Sequence, residues 1–411
     1  MSTDQSILFA NNLIYRMPTP SSVVVNRVLK RQYFQQRSYS GEQTMTCQFN
    51  TGTDFVDLKN SALVLKVKVF YDAGAQELSS GFGQGSGVNL LRNIRIYHRS
   101  GTCYTNSQKI NMWRKIQDRY TESPAWFETV GQLMGYNNGV TFSGEVAEGT
   151  EATVIIPVTH LHPFFNPEGG VLLPANMASG LRIEFDLEKP NTAFVAEVDT
   201  PFIKAYSIED CYFQTMNITL MDSAQASLNT VAQKSSLEYI YKDVFTSLNS
   251  HPSNNSQVNI DINKSVAFAD TALAIIQNQS SLTDPYIDSF DTDYLDAKWD
   301  FTLGSNHYPN VKVDSRQLSY QTALITYDKF KNANKETSVT PARYLQSDAI
   351  YAVSLERDTS LALSQAPVNA SRSLRFELTF DDAPDESQLV TVYMTFLTSS
   401  RSTLLNSKVD I

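Results

Sequence analysis

Residues 181–188 read Leu-Arg-Ile-Glu-Phe-Asp-Leu-Glu, and residues 374–381 read Leu-Arg-Phe-Glu-Leu-Thr-Phe-Asp. In the first copy Leu181, Ile183, Phe185 and Leu187 alternate with Arg182, Glu184, Asp186 and Glu188. A period of two puts the apolar set on one face of a pleated strand and the charged set on the other, as a half-buried strand requires. The copies share more than alternation. Each has an Asn five residues upstream (Asn176, Asn369), a Pro downstream (Pro190, Pro384), and Arg and Glu at matching places. Each also leads into another strand-like run, YFQTMNITL (212–220) and VTVYMTFL (390–397). Alternation explains the apolar positions but not the shared polar ones, so the segment reads as one unit present twice. Its spacing divides the chain into two modules of nearly equal length.

The same period governs the rest. Val258, Ile260 and Ile262 alternate with polar residues, while SALVLKVKVF (61–70) and LVTVYMTFL (389–397) read as strands buried on both faces or nearly so. Twenty Tyr and 22 Phe favour pleated, half-buried surfaces. The expected class is all-β: two tandem eight-stranded sandwiches with short helical insertions. One insertion is NSQKINMWRKIQDRY (106–120), where Ile110, Trp113, Ile116 and Tyr120 share a helix face and Lys115, Gln117 and Asp118 turn outward. A second short helix is expected over 125–136, after Pro124. The polar stretch 222–236, DSAQASLNTVAQKSS, reads as the join. The expected division is an N-terminal arm over 1–40, a first sandwich over 41–222, a linker over 223–236 and a second sandwich over 237–411.

The 411 residues carry 33 basic and 43 acidic side chains, a net charge of −10, with 42% apolar content. That is enough apolar material for a packed core and excludes a disordered chain, while 18% charged residues argues against coiled coils. Cys47, Cys103 and Cys211 lie far apart without metal-ligand spacing and are expected as free, buried thiols. The N-terminus lacks the pattern of a secretion signal, so a non-secreted protein is expected.

Motifs for chemistry are sparse. GFGQGSG (81–87) lacks the Gly-Lys-Ser/Thr ending of a phosphate loop and precedes a strand, so it reads as a flexible loop. His160 and His162 would share one side of a strand, as two metal ligands do, but no third ligand has suitable spacing. Asp288, Asp291, Asp293, Asp296 and Asp300 form an acidic run without the glycine and terminal glutamate of an EF-hand, and read as a solvated loop. No catalytic residue, metal or cofactor is expected. The N-terminus differs: between Asp4 and Glu42 there is no acid, yet Arg16, Arg27, Lys30, Arg31 and Arg37 are basic. Such asymmetry points to contact with phosphate, on nucleic acid or lipid headgroups, or else to a first strand whose polar face is basic.

Two tandem sandwiches without a catalytic constellation point toward a building block. The sequence resembles the double jelly-roll major capsid proteins of adenoviruses, tailless membrane-containing phages, virophages and nucleocytoplasmic large DNA viruses. The likeness rests on LLRNIRIYHRSG (90–101), LPANMASGLRIEFDLE (173–188), INKSVAFADTALAIIQN (262–278) and FTLGSNHYPNVKV (301–313). It implies two barrels of eight strands, three chains in a pseudo-hexagonal trimer, and an icosahedral shell in the virion. Implied partners are neighbouring capsomers, minor capsid or vertex proteins, and genome or inner membrane through the basic arm. Large tower domains are not expected at this length. A tandem carbohydrate- or receptor-binding protein is the alternative, with Trp126 and Trp299 as exposed platforms, and a sandwich glycosidase stands behind it.

Overall fold

The computed structural model describes residues 23–71, 78–82, 85–136, 142–144, 150–167, 172–196, 203–227, 237–279, 297–330, 337–346, 348–356, 366–369, 371–402 and 409–410. Sixteen of the strands among the described residues form the walls of two sandwiches. The first contains β1 (Val24–Tyr33), β2 (Thr44–Gln48), β3 (Phe55–Tyr71), β4 (Leu91–Tyr97), β5 (Cys103–Ser107), β6 (Thr150–Pro157), β7 (Arg182–Leu187) and β8 (Ile203–Leu220). The second contains β9 (Leu237–His251), β10 (Gln257–Ile262), β11 (Val266–Asn278), β12 (Lys298–Leu303), β13 (Asn306–Val313), β14 (Tyr351–Ser354), β15 (Leu374–Thr379) and β16 (Gln388–Ser402). In the first, one wall runs β1-β8-β3-β6 and the other β2-β7-β4-β5; in the second they run β9-β16-β11-β14 and β10-β15-β12-β13. The second order is the first with eight added to every label. Two four-strand antiparallel walls in this order make a jelly roll, so the chain is an all-β double jelly roll.

The duplicated segment occupies equivalent strands. Ile183 on β7 lies between Cys47 and Ile96, and Phe376 on β15 lies between Ile260 and Phe301. The inward residues are buried at 0–1% exposure (Ile183, Phe185, Phe376, Leu378). The shared glutamate takes a cation from a strand of the same sheet in each barrel: Glu184 pairs with Arg95 at 3.1 Å and Glu377 with Lys312 at 3.2 Å. Gly180 sets the entry to β7. Its φ is +82°, and a Cβ there would stand 2.8 Å from the Cβ of Arg99.

The long apolar runs differ from one another. On β3 Leu63, Leu65, Val67 and Val69 are fully buried, while Ala62, Lys66 and Lys68 are half-buried and Phe70 is exposed, so this strand has one core face. On β16 both faces are buried. Val390, Val392 and Met394 enter the second barrel's core, whereas Tyr393, with Leu273 and Ile275 of β11, joins the core of the first. The wall β9-β16-β11-β14 is thus shared between the barrels.

Helices are inserted at the same point of each barrel, between its fifth and sixth strands: α1 (Ile110–Thr121) in the first and α2 (Arg316–Thr326) in the second. The apolar face of α1 is buried as its spacing requires, but Lys115 and Asp118 are buried too rather than turned outward. The second barrel and residues near Tyr136 enclose that side of the helix. Over 125–136 there are two short helical turns, Pro124–Phe127 and Val130–Met134, rather than one helix. Residues 24–33, placed in the arm on sequence grounds, form the edge strand β1, paired along β8. Cys47 and Cys211 are buried, whereas Cys103 is exposed, because it sits where the edge strand β5 begins.

Candidate functional site

Two features stand out: the seam between the barrels and the basic edge strand. The seam is built mainly from α1, β5 and the turns at 158–165 on the first barrel's side. Tyr239 Oη donates to the Phe164 carbonyl at 2.6 Å, Tyr241 Oη to the Tyr104 carbonyl at 2.9 Å, and Tyr393 Oη to the Lys109 carbonyl at 3.1 Å. Tyrosine suits such a place, since its ring adds apolar area and its hydroxyl satisfies a buried carbonyl. Charged groups cross the seam as well. Arg119, at 1% exposure, pairs with Asp348, at 0%. Asp348 also forms an ion pair with Arg343, whose Nε lies 2.6 Å from it, and Tyr120 Oη donates to its carbonyl at 2.7 Å. Lower on the seam Asp243 of β9 accepts from Thr105 Oγ1 and lies 3.6 Å from His162 Nε2.

The histidines are not strand neighbours. The strand register ends at Pro157, and residues 158–160 and 163–165 form 3-10 turns. His162 is fully buried: Nδ1 accepts from Phe164 N at 3.0 Å and Nε2 lies 3.0 Å from Ser107 Oγ. Burial pushes its pKa down to about 3, and the positive Arg114 adds to that. His160 stacks on Trp126 at 4.9 Å. Its Nδ1 lies 2.6 Å from Arg114 and 3.2 Å from Asp118. Asp118, Glu122 and His160 could approach one cation, but Arg114 pairs with Asp118 there and already supplies the positive charge. Beside them a cleft of about 620 Å³ opens between the barrels, lined by Lys59, Trp113, Glu122, His160, Lys242 and Asp270 among others. Trp299, considered above as an exposed platform, is fully buried. It is a core residue of β12, and its Nε1 donates to Ser319 Oγ at 2.9 Å. Asp300 is likewise no loop residue. It lies buried on β12, 2.6 Å from His307 Nδ1 and 3.5 Å from Lys312 Nζ. Asp288, Asp291, Asp293 and Asp296 lie outside the described residues.

The basic residues are mostly engaged. Arg27 pairs with Asp57 at 2.8 Å, Lys30 with Asp54 at 2.7 Å and Arg37 with Asp210 at 2.9 Å. Burial alone would raise the Asp54 carboxyl, yet hydrogen bonds from Lys30, Thr219 and Asn217 hold it below its ordinary value. The Arg31 guanidinium lies 4.6 Å from the centre of the Tyr212 ring. Arg16 lies outside the described residues. The sequence count could not anticipate these pairings, because the carboxylates come from other parts of the first barrel.

No known family profile matches the chain, and no curated protein matches it in sequence. Solved structures do match in fold. The structure of PBCV-1 VP54, fitted into a cryo-EM reconstruction of the virophage Sputnik, aligns with a TM-score of 0.67 at 12% identity, covering 97% of this chain and 98% of that one. A quasi-atomic model of the PBCV-1 virus capsid aligns at 0.63 with 14% identity, covering 94% and 96%. The Faustovirus major capsid protein aligns at 0.62 with 8% identity, covering 94% and 92%. Each alignment runs through both barrels and leaves little of either chain over.

Proposed function

We propose that the chain is a viral major capsid protein whose copies assemble as trimeric capsomers of an icosahedral shell. The observation that carries this reading is the pair of equivalent jelly rolls locked by a buried seam. Two similar barrels held at a fixed angle form a rigid tile, and three such tiles offer six similar corners. The proteins it resembles in fold are capsid components. Its role would be architectural rather than catalytic, with location in the virion and neighbouring capsomers as partners. The test is the mass of the purified chain by light scattering. A stable species at three times 46.0 kDa is expected, and a monomer at all concentrations would sink the reading.

Contact with genome or an inner membrane belongs to the same proposal. Arg27 and Lys30 are held by the mostly buried carboxylates of Asp57 and Asp54 and Arg31 lies on the Tyr212 ring, so that role falls to Arg16 and to Arg37, whose side chain is 87% exposed and whose ion-pair partner Asp210 is itself 52% exposed. Replacing both by alanine is expected to shorten salt-dependent retention on a polyanion column, because fewer counterions are exchanged. Unchanged retention would remove the arm from the proposal.

A further inference from the structure

Just ahead of β3, one carboxylate holds an amine and an amide side by side. Asp54 Oδ2 lies 2.7 Å from Lys30 Nζ and accepts from Asn217 Nδ2 at 3.3 Å. Lys30 belongs to β1 and Asn217 to β8, the first and last strands of the first barrel, which pair with each other. In their register Lys30 stands opposite Thr215 and Val28 opposite Asn217, so Lys30 and Asn217 are diagonal neighbours on one face. Asn217, Thr215 and Asp54 are all buried.

Every polar atom around the Asn217 amide is placed for substitution at its Cγ. Thr215 Oγ1 donates to Oδ1 at 2.9 Å, the oxygen on which negative charge develops when Cγ is attacked. Nδ2, the leaving group, faces a carboxylate able to hand it a proton. The other oxygen of that carboxylate accepts from Thr219 Oγ1 at 2.8 Å, which fixes its plane. Lys30 carries the nucleophile on a flexible four-carbon stem, and its side chain is 45% exposed, free to swing from Oδ2 onto Cγ. The group next to it is built alike but cannot react. Asp57 Oδ2 accepts from Arg27 at 2.8 Å and from Asn60 Nδ2 at 2.9 Å, and a guanidinium does not give up its proton.

We propose that Lys30 and Asn217 are joined by an amide bond that the folded chain makes itself. The Nζ–Cγ bond forms and the Cγ–Nδ2 bond breaks. Of the protons on the ammonium, one stays on the new amide and two pass through Asp54 to Nδ2, which departs as ammonium. The balance needs no oxidant or co-reactant. The first transfer, along the 2.7 Å contact to Oδ2, leaves a neutral amine beside Cγ. The hydrogen bonds that hold the Asp54 carboxyl low make that transfer uphill and the bond slow to form. It forms only once per chain, however, and the fold keeps the reactants in place throughout. Because β1 is the edge strand of its wall, the bond ties that edge to β8. A pull on the residues before β1 is then borne by covalent structure rather than by strand pairing. This is independent of what the chain assembles into, so it stands apart from the capsomer reading.

The test is the intact mass of the purified full chain under denaturing conditions, followed by a tryptic map. The chain is expected to be lighter than its sequence by one ammonia. The map is expected to hold one branched peptide, uncut after Lys30, whose other arm contains Asn217. Lys30→Arg keeps a cation on Asp54 but cannot be acylated, and Asp54→Asn keeps the shape but relays no proton. Each is expected at its full sequence mass without the branched peptide, with circular dichroism reporting that it is folded. The wild-type result decides even if neither variant folds. Wild type at its full sequence mass after overnight incubation would overturn the proposal. So would loss of ammonia with trypsin still cutting after Lys30, the mark of a cyclic imide at an asparagine. A branched peptide in Asp54→Asn at the wild-type yield would overturn the route through Asp54.

Discussion

Replacing Arg119 by methionine is expected to cost about 3–5 kcal/mol of folding stability, the range for breaking a buried ion pair by removing one partner. Arg119 comes from α1 of the first barrel and Asp348 from the segment before β14 of the second, and neither reaches 2% exposure. Methionine fills much of the space without the charge, leaving Asp348 with Arg343 alone, whose side chain is 36% exposed. The measurement is urea unfolding at fixed protein concentration, followed by circular dichroism. Arg119→Met combined with Asp348→Leu is expected to recover most of the loss, because an apolar pair does not carry the desolvation cost of a lone buried charge. If the double variant is as unstable as the single one, lost packing around α1 is the cause and the ion pair is not.

Much of the fold could be read from the chain, and the reason is local. The segments at 181–188 and 374–381 fall on β7 and β15, the same strand of each barrel, because alternation and the shared polar residues are properties of a single strand. The face of α1 was legible for the same reason. Helix α2 was not. Ser315 caps it, accepting from Leu318 N. But Tyr320 and Ala323 pack against the cluster that includes the first barrel's core while Leu318 and Ile325 are exposed, so no single apolar stripe marks it. The seam was illegible because its partners are remote: Arg119 and Asp348 stand 229 residues apart, and Thr105 and Asp243 138. Of the basic stretch the charges were legible, but the acids that meet them were not.

The lower seam predicts a pH response that only a variant would reveal. Asp243 is held mostly buried by β5, and burial raises its pKa to about 6, against the hydrogen bonds from Thr105, the Val244 amide and Ser107 that lower it. Lys264 also favours its charge, while Tyr241 and Cys103 are the other titratable groups that feel it. His162 opposes it with a pKa near 3. In the neutral ring Nδ1 accepts from Phe164 N, so the proton sits on Nε2 and points to Ser107. The two groups act in opposite directions on stability. His162 binds its proton less readily in the fold than its ordinary 6.5, so its contribution is complete above 6.5 and lost as pH falls toward 3. Asp243 binds its proton more readily than its ordinary 3.8, so its contribution is complete below 3.8 and lost as pH rises through 6. Between pH 6 and 3.8 one proton's worth of loss offsets one of gain. Asp243→Asn keeps the shape and the acceptor but cannot titrate, which leaves His162 unopposed. The variant is therefore expected to lose about 1.4 kcal/mol of stability per pH unit relative to wild type across that window. Urea midpoints at pH 6, 5 and 4 measure it. Adding His162→Gln should abolish the difference in slope. Parallel profiles for Asp243→Asn and wild type would mean that the seam does not hold these two groups in the dry surroundings their pKa values require.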